Sequence, residues 1–234
     1  IVARAEYPLD ERRKEKLAIS CNIPAERIIS APDIQSIYDV PENFEKDKLG
    51  TLLEKALTLK ARPTDLKEWS AFAKKVTNPK KEVNIAIVGK YFDTGDFVLS
   101  DAYVSVIEAV KFSAYTQGAK PNIIWLNSKS FEGDKAKVKA YCQEQFKNVD
   151  GILVPGGFGE TGIEGKINVI EYARVNQIPY FGLCYGMQLL VVEYARHVAL
   201  LADAHTTEIN QKTTHPVIDI MEHQKKLLAD GQYG

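Results

Sequence analysis

Cysteine is scarce in this chain. Three residues, Cys21, Cys142 and Cys184, occur among 234, an odd number at unrelated spacings that fits neither a disulfide framework nor a zinc-binding pattern. No apolar run approaches the roughly 20 residues that a membrane-spanning helix needs. An excess of charge of one sign is also missing. Lys plus Arg number 30 and Asp plus Glu 31, for a formal charge of −1, so a broadly basic nucleic-acid surface is not expected. Low-complexity tracts and internal repeats are absent, and no signal-peptide pattern opens the sequence. What remains has the composition of a globular protein, 45% hydrophobic and 26% charged, with the cytosol as its expected compartment.

The most informative stretch is Gly182-Leu183-Cys184-Tyr185-Gly186-Met187-Gln188. An apolar run, Ile178-Pro179-Tyr180-Phe181, leads into it, and residues 189–196 lead out at helical spacing. Cys184 therefore sits at a sharp strand-to-helix turn, with glycines two residues to either side to allow a strained backbone and close approach of a substrate. The positive end of the following helix would lie against the sulfur and stabilise negative charge there. Read alone, Gly-x-Cys-x-Gly is equally compatible with a buried structural cysteine. A second turn, Pro155-Gly156-Gly157-Phe158-Gly159, follows the apolar run 151–154. Its glycines expose backbone N–H groups of the kind that stabilise an oxyanion, although read alone they fit an ordinary tight turn better. In an open parallel sheet, neighbouring strands deliver their C-terminal loops to one crevice.

The pattern along residues 83–197 is strand, helix, strand. Strands are predicted over 83–88, 122–126, 151–154 and 180–183, and helices over 100–117, 134–146, 162–176 and 187–197. This alternation predicts a doubly wound α/β parallel sheet. Ahead of it, helices are predicted over 9–21, 46–59 and about 66–76, with short extended pieces and prolines between 30 and 41. The expected domains are 1–60, a linker 61–82, and 83–234.

From about Val83 onward the chain resembles the glutaminase domain of the CTP synthase family, within the class I glutamine amidotransferases. The resemblance rests on Val88-Gly89-Lys90-Tyr91, Asp101-Ala102-Tyr103-Val104-Ser105-Val106, the two glycine turns, Gly165-Lys166, Met187-Gln188 and Thr206-Thr207-Glu208. The first 60 residues, through Pro8-Leu9-Asp10-Glu11, Lys14, Lys16 and Ser36-Ile37-Tyr38-Asp39-Val40-Pro41, resemble the end of the family's synthetase (amidoligase) domain. What this implies is a cysteine nucleophile, Cys184. Gly156, Gly157, Tyr185, Gly186, Met187, Gln188 and Glu208 would form the oxyanion hole and glutamine site. Lys16 would reach the uracil nucleotide and Ile34 the adenine of ATP. Further implications are ATP with Mg²⁺ and UTP in the synthetase domain of an intact enzyme, GTP as effector and a tetrameric homo-oligomer. The glutaminase part would need no cofactor or metal.

The chain departs from the family pattern in places. The family's His-x-Glu pair is missing, since none of His197, His205, His215 and His223 has an acid two residues later. The catalytic base is therefore expected to lie outside this sequence, with His205, three residues from Glu208, as the nearest substitute. A chain opening at Ile1 and closing on Gly231-Gln232-Tyr233-Gly234 is read as part of a longer protein, inactive alone. Tyr185 stands where Leu is usual, and its phenol could crowd the pocket. Thr161 replaces a common Arg. Two other readings remain open: a non-catalytic assembly or regulatory piece, and a stand-alone cysteine glutaminase or γ-glutamyl hydrolase.

Overall fold

A computed structural model describes residues 1–61, 63–90, 103–157 and 160–229. Tyr91, Asp101, Ala102, Phe158, Gly159, the predicted helix start at 100 and the tail 231–234 lie outside the described residues. The chain forms two compact units, one of Ile1–Lys81 with Ala114–Lys120 and one of Glu82–Ser113 with Pro121–Gly234.

The first unit opens with strand β1 (Val2–Ala5) and helix α1 (Glu11–Cys21). Asp10 caps α1 by accepting the Arg13 N–H at 2.8 Å, and Asn22 ends it in a left-handed conformation. Strand β2 (Ile29–Pro32) pairs parallel with β1, Val2 opposite Ile29. The helix predicted over 46–59 is instead two, α2 (Val40–Lys46) and α3 (Leu49–Ala56). The break has a local cause. Asp47 turns its carboxylate to the Lys14 ammonium at 2.6 Å and to the Ser30 N–H at 2.7 Å, and Lys48 takes φ 54°. Burial raises the Asp47 pKa, yet Lys14 and Ser30 outweigh it and hold the carboxyl below its ordinary value. Pro41 sits in the first turn of α2, where its missing N–H is harmless, so the proline-rich stretch ends in a helix. Helix α4 (Lys67–Thr77) begins after Asp65, which accepts the Lys67 N–H at 3.0 Å. Its Trp69 and Phe72 pack on Tyr38, with Trp69 Nε1 donating to the Tyr38 carbonyl at 2.7 Å.

The second unit holds all but the first residues of β3 (Lys81–Gly89) and β4 (Ala119–Asn127), with β5 (Gly151–Val154) and β6 (Tyr180–Gly182), in the sheet order β4-β3-β5-β6. Helices α5 (Val104–Thr116), α6 (Lys135–Gln145), α7 (Ile163–Val175) and α8 (Tyr185–His197) follow β3, β4, β5 and β6 in turn. Strand alternation sorts the core into two faces. Ala86, Val88, Ile152 and Val154 pack with Val138, Cys142 and Phe146 of the α6 segment and Val169 and Ala173 of α7. Ile87 and Leu153 point the other way, to Tyr103 and Ile107 of the α5 segment. Helices thus cover both faces of a sheet in which β5 pairs parallel with β3 and β6, the doubly wound arrangement expected from the sequence. Helix α8 packs on α7 through Leu189 and Val192 against Ile163, Ile167 and Ile170. Glu193, fully buried on α8, is held by the Arg174 guanidinium of α7 at 2.8 Å. A small parallel pair, β7 (His205–Thr206) and β8 (Pro216–Ile218), and helix α9 (Glu222–Ala229) complete the unit. The β7–β8 pairing and α9 are not predicted from the sequence, because β7 has two residues and the polar run 222–226 reads as a solvated segment.

Candidate active site

Two strand ends meet at the cysteine. The parallel register pairs Val154 with Gly182. Two residues past each lie Gly156 and Cys184, and a Cβ built on Gly156 would fall 3.3 Å from Cys184 Cβ and 3.8 Å from its Sγ. The close approach predicted for the two glycine turns is therefore observed.

The elbow glycines are demanded by packing. A Cβ on Gly182 would come within 2.5 Å of the Gly186 carbonyl carbon and the Met187 nitrogen, because α8 folds straight back over β6. A Cβ on Gly186 would lie 2.1 Å from the Val154 carbonyl oxygen, so α8 rests directly on β5. Cys184 is the cap residue of α8, with φ 50° and ψ −106°, a conformation that L residues seldom adopt. Helix α8 starts at Tyr185, two residues before the predicted start, which places the sulfur-bearing residue directly at the helix's positive end. Cys184 is exposed, as a nucleophile requires, whereas Cys142 is buried and its thiol is pushed up to about 11 by that burial.

Tyr185 turns inward. Its ring joins the core between α7 and α8 with 3% exposure, so the phenol packs beneath the elbow instead of crowding the pocket. Its hydroxyl is buried without a hydrogen-bond partner among the described residues, and burial first, then the charges of Glu208, Glu160 and Glu164, push its pKa up to about 12. Two ammonium groups lie near that ring, Lys166 Nζ at 5.7 Å and Lys90 Nζ at 6.0 Å from its centroid. Lys166 is fully buried and its Nζ has no hydrogen-bond partner among the described residues. Burial, with the nearby Lys90 charge, pulls its pKa down to about 8. Burial also lowers the Lys90 pKa, opposed by the charge of Glu208. These lysines are visible in the sequence only as members of motifs; their grouping around one ring depends on three separate elements meeting.

Of the other site residues, Gly156 and Gly157 follow β5 and are half-buried, Gly186 is buried, and Gln188 is half-buried with its N–H on the Cys184 carbonyl at 3.2 Å. Met187 is 54% exposed. Glu208 is exposed just after β7, its N–H bonded to Thr206 Oγ1 at 3.2 Å. Lys16 lies exposed on α1 and Ile34 in the loop after β2, both in the first unit. Thr161 is exposed in the turn before α7.

Three of the four histidines, His197, His205 and His215, have structural partners. His205 Nδ1 accepts the Thr206 N–H at 2.9 Å, and its Nε2 faces Glu164 at 4.0 Å. Burial and Arg196 lower its pKa, with Glu164 opposing. His197 Nδ1 lies 3.2 Å from Glu193 at the end of α8. His223 is exposed on α9. His215 Nδ1 pairs with Asp203 Oδ1 at 2.5 Å, an acid–imidazole pair twelve residues apart that a search for an acid two residues downstream misses. Among the described residues no group of three or more His, Cys, Asp or Glu could hold a metal ion, and no helix is long and apolar enough to cross a membrane.

Comparison with known proteins agrees with this geometry. Residues 98–233 match the family described as glutamine amidotransferase class-I, and residues 1–59 match that described as CTP synthase N-terminus. A CTP synthase of Methanocaldococcus jannaschii is 43% identical over 231 residues, covering 99% of this chain and 42% of that protein. One from Caldanaerobacter subterraneus is 46% identical over 231 residues, covering 99% of this chain and 41% of its own length. The chain therefore spans about two fifths of the length of these curated relatives. Among solved structures, the Trypanosoma brucei CTPS glutaminase domain with bound acivicin superposes with a TM-score of 0.54 at 36% identity, covering 60% of this chain and 51% of that one. The chain belongs to the class-I glutamine amidotransferase family, and the relatives it resembles over nearly its whole length are CTP synthases.

Proposed function

We propose that this chain carries the nucleophile half of a glutamine-hydrolysing site that serves CTP synthesis. The observation that supports it best is the seating of Gly156 against Cys184 at the end of paired parallel strands. The Cys184 thiolate attacks the side-chain amide carbon of glutamine. The oxygen becomes an oxyanion held by the Gly157 and Tyr185 N–H groups. The C–N bond then breaks as the nitrogen takes a proton and leaves as ammonia, and water cleaves the remaining thioester to glutamate and free thiol. Glu208 accepts the substrate's α-ammonium.

The ammonia passes to a synthetase domain whose end is residues 1–60, where ATP with Mg²⁺ activates UTP. Lys16 and Ile34 contribute there to the nucleotide sites. GTP acts as effector and the intact enzyme is a cytoplasmic tetramer. Residues 61–82 form the linker to the glutaminase domain, 83–234. No metal chemistry is assigned to the residues described. Because this sequence lacks a His-x-Glu pair, turnover requires a base supplied from elsewhere.

The test compares labelling of the three cysteines by a glutamine-like electrophile. Cys184 should react well ahead of exposed Cys21 and buried Cys142, and equal, slow labelling of all three would refute the reading. Glutamate release by the chain alone should not exceed that of Cys184→Ala. Release abolished by that substitution would assign the base to a histidine present here.

A further inference from the structure

A protonated imidazole can only donate, so a histidine whose ring nitrogen receives a backbone N–H is committed to its neutral form. His205 is held in this way. In the pairing of β7 with β8, the His205 N–H donates to the His215 carbonyl at 3.2 Å and the Thr207 N–H to the Ile218 carbonyl at 3.0 Å. Those two amides face β8, so the Thr206 N–H between them faces away from it. Thr206 is 2% exposed, and a buried N–H requires an acceptor. His205 Nδ1 supplies one at 2.9 Å, which leaves the ring's single proton on Nε2, 4.0 Å from Glu164 Oε1.

Thr206 in turn organises the residues that follow. Its Oγ1 accepts the Glu208 N–H at 3.2 Å, and its carbonyl accepts those of Ile209 at 3.2 Å and Asn210 at 3.0 Å. The turn that presents Glu208 is therefore folded around one buried residue whose own N–H rests on His205. The surroundings oppose a charge on that ring, whose side chain is 10% exposed. Arg196 of α8 is fixed nearby, through its Nε on the Ala204 carbonyl at 2.7 Å and two 3.0 Å bonds to Glu164 of α7. Burial first, then Arg196, hold the His205 pKa below its ordinary 6.5, with Glu164 opposing. The other titratable groups at this strand pair, His215 and Asp203, are bound to each other.

We propose that His205 is a positioning residue: its neutral ring locks the Glu208 turn through the Thr206 amide, and protonation of the ring releases it. A proton on Nδ1 would set two donors face to face, so the ring must turn away and the freed amide loosens the turn. The lock is fully present above pH 6.5 and is lost as pH falls from there through the lower folded value. With its lone pair engaged, His205 does not serve as the catalytic base. One consequence, weaker glutamine binding in acid, rests on the reading that Glu208 accepts the substrate's α-ammonium.

The test follows the full chain by nuclear magnetic resonance from about pH 7.5 to about pH 5. At the upper end the His205 proton should be on Nε2. As the ring titrates, exchange protection of the Thr206 amide should fall by about tenfold or more, and that of Glu208, Ile209 and Asn210 with it. His205→Asn keeps an acceptor at the position of Nδ1 and cannot titrate, so it should retain the protection and abolish the acid step. That variant leaves His215 and Asp203 in place, which separates their titration from that of His205. An acid step that survives in His205→Asn overturns the lock, as does a His205 ring that titrates in the parent while Thr206 stays protected. Calorimetry with L-glutamine on the Cys184→Ala chain tests the consequence. Affinity that weakens in acid by about tenfold in the parent, and not in His205→Asn, supports both the lock and the role of Glu208. An acid step at the amides with glutamine affinity unmoved, or with no glutamine bound at any pH, keeps the lock and counts against that role.

Discussion

Gly156 faces Cys184 across two adjacent strand ends, and any side chain on the glycine would meet the cysteine. A methyl group there would sit 3.3 Å from Cys184 Cβ and 3.8 Å from Sγ. The approach is set by the Val154–Gly182 pairing, so it is a property of the sheet register and not of either turn alone.

Gly156→Ala should therefore disturb the nucleophile more than the fold. The extra methyl can be accommodated by a shift of a few tenths of an ångström, and the shift falls on Cys184. Labelling of Cys184 by a glutamine-like electrophile should slow by about tenfold, with little change in the denaturation midpoint. An unchanged labelling rate would mean that the sulfur's position does not depend on this approach.

Gly186→Ala should act on the fold itself. Its Cβ would fall 2.1 Å from a backbone oxygen of β5, which cannot rotate away. Helix α8 must lift from the sheet, at a cost of roughly 2–4 kcal/mol, read as a lowered midpoint in chemical denaturation.

Lys166→Met should stabilise the protein at neutral pH. Burial, aided by Lys90, lowers the Lys166 pKa from 10.5 to about 8. A depressed lysine means that the unfolded chain binds the proton more tightly, so the penalty of the buried charge is fully present below pH 8. It fades as pH rises from 8 to 10.5. Removing the amine should raise stability at pH 7 by about 2 kcal/mol, and the gain should vanish above pH 10.5. Denaturation midpoints of both proteins across that range decide the matter.

Asp203→Asn should flatten the acid limb of the stability curve. Thr214 first, then His215, hydrogen-bond the Asp203 carboxylate and hold it far below its ordinary 3.8. For a depressed carboxyl the contribution is present above pH 3.8 and is lost as pH falls through the lower folded value. The substituted protein should lose less stability than the parent between pH 4 and pH 2, and its β7–β8 turn should exchange amide protons faster at pH 7.

Much of the second unit is legible in the sequence. The bounds of β5 coincide with the apolar run 151–154, because a strand buried on both faces has to be continuously apolar, and the elbow announces itself through glycines that no other residue could replace. The motif residues also pointed to the right family. By contrast, the predicted helix over 46–59 was too long, since apolar periodicity says nothing of Asp47 being drawn away by Lys14 and Ser30.

Local sequence thus determined the strand–helix alternation, the strained cysteine turn and the glycines that permit it, because each depends on the conformational limits of neighbouring residues. Tertiary structure alone decided which distant groups share a site. Sheet register placed Gly156 on Cys184, the docking of α7 and α8 buried Tyr185 beside Lys166, and the turns bearing Asp203 and His215 closed an acid–imidazole pair across twelve residues. Such contacts arise from how sheets and helices pack, and residue spacing along the chain carries no trace of them.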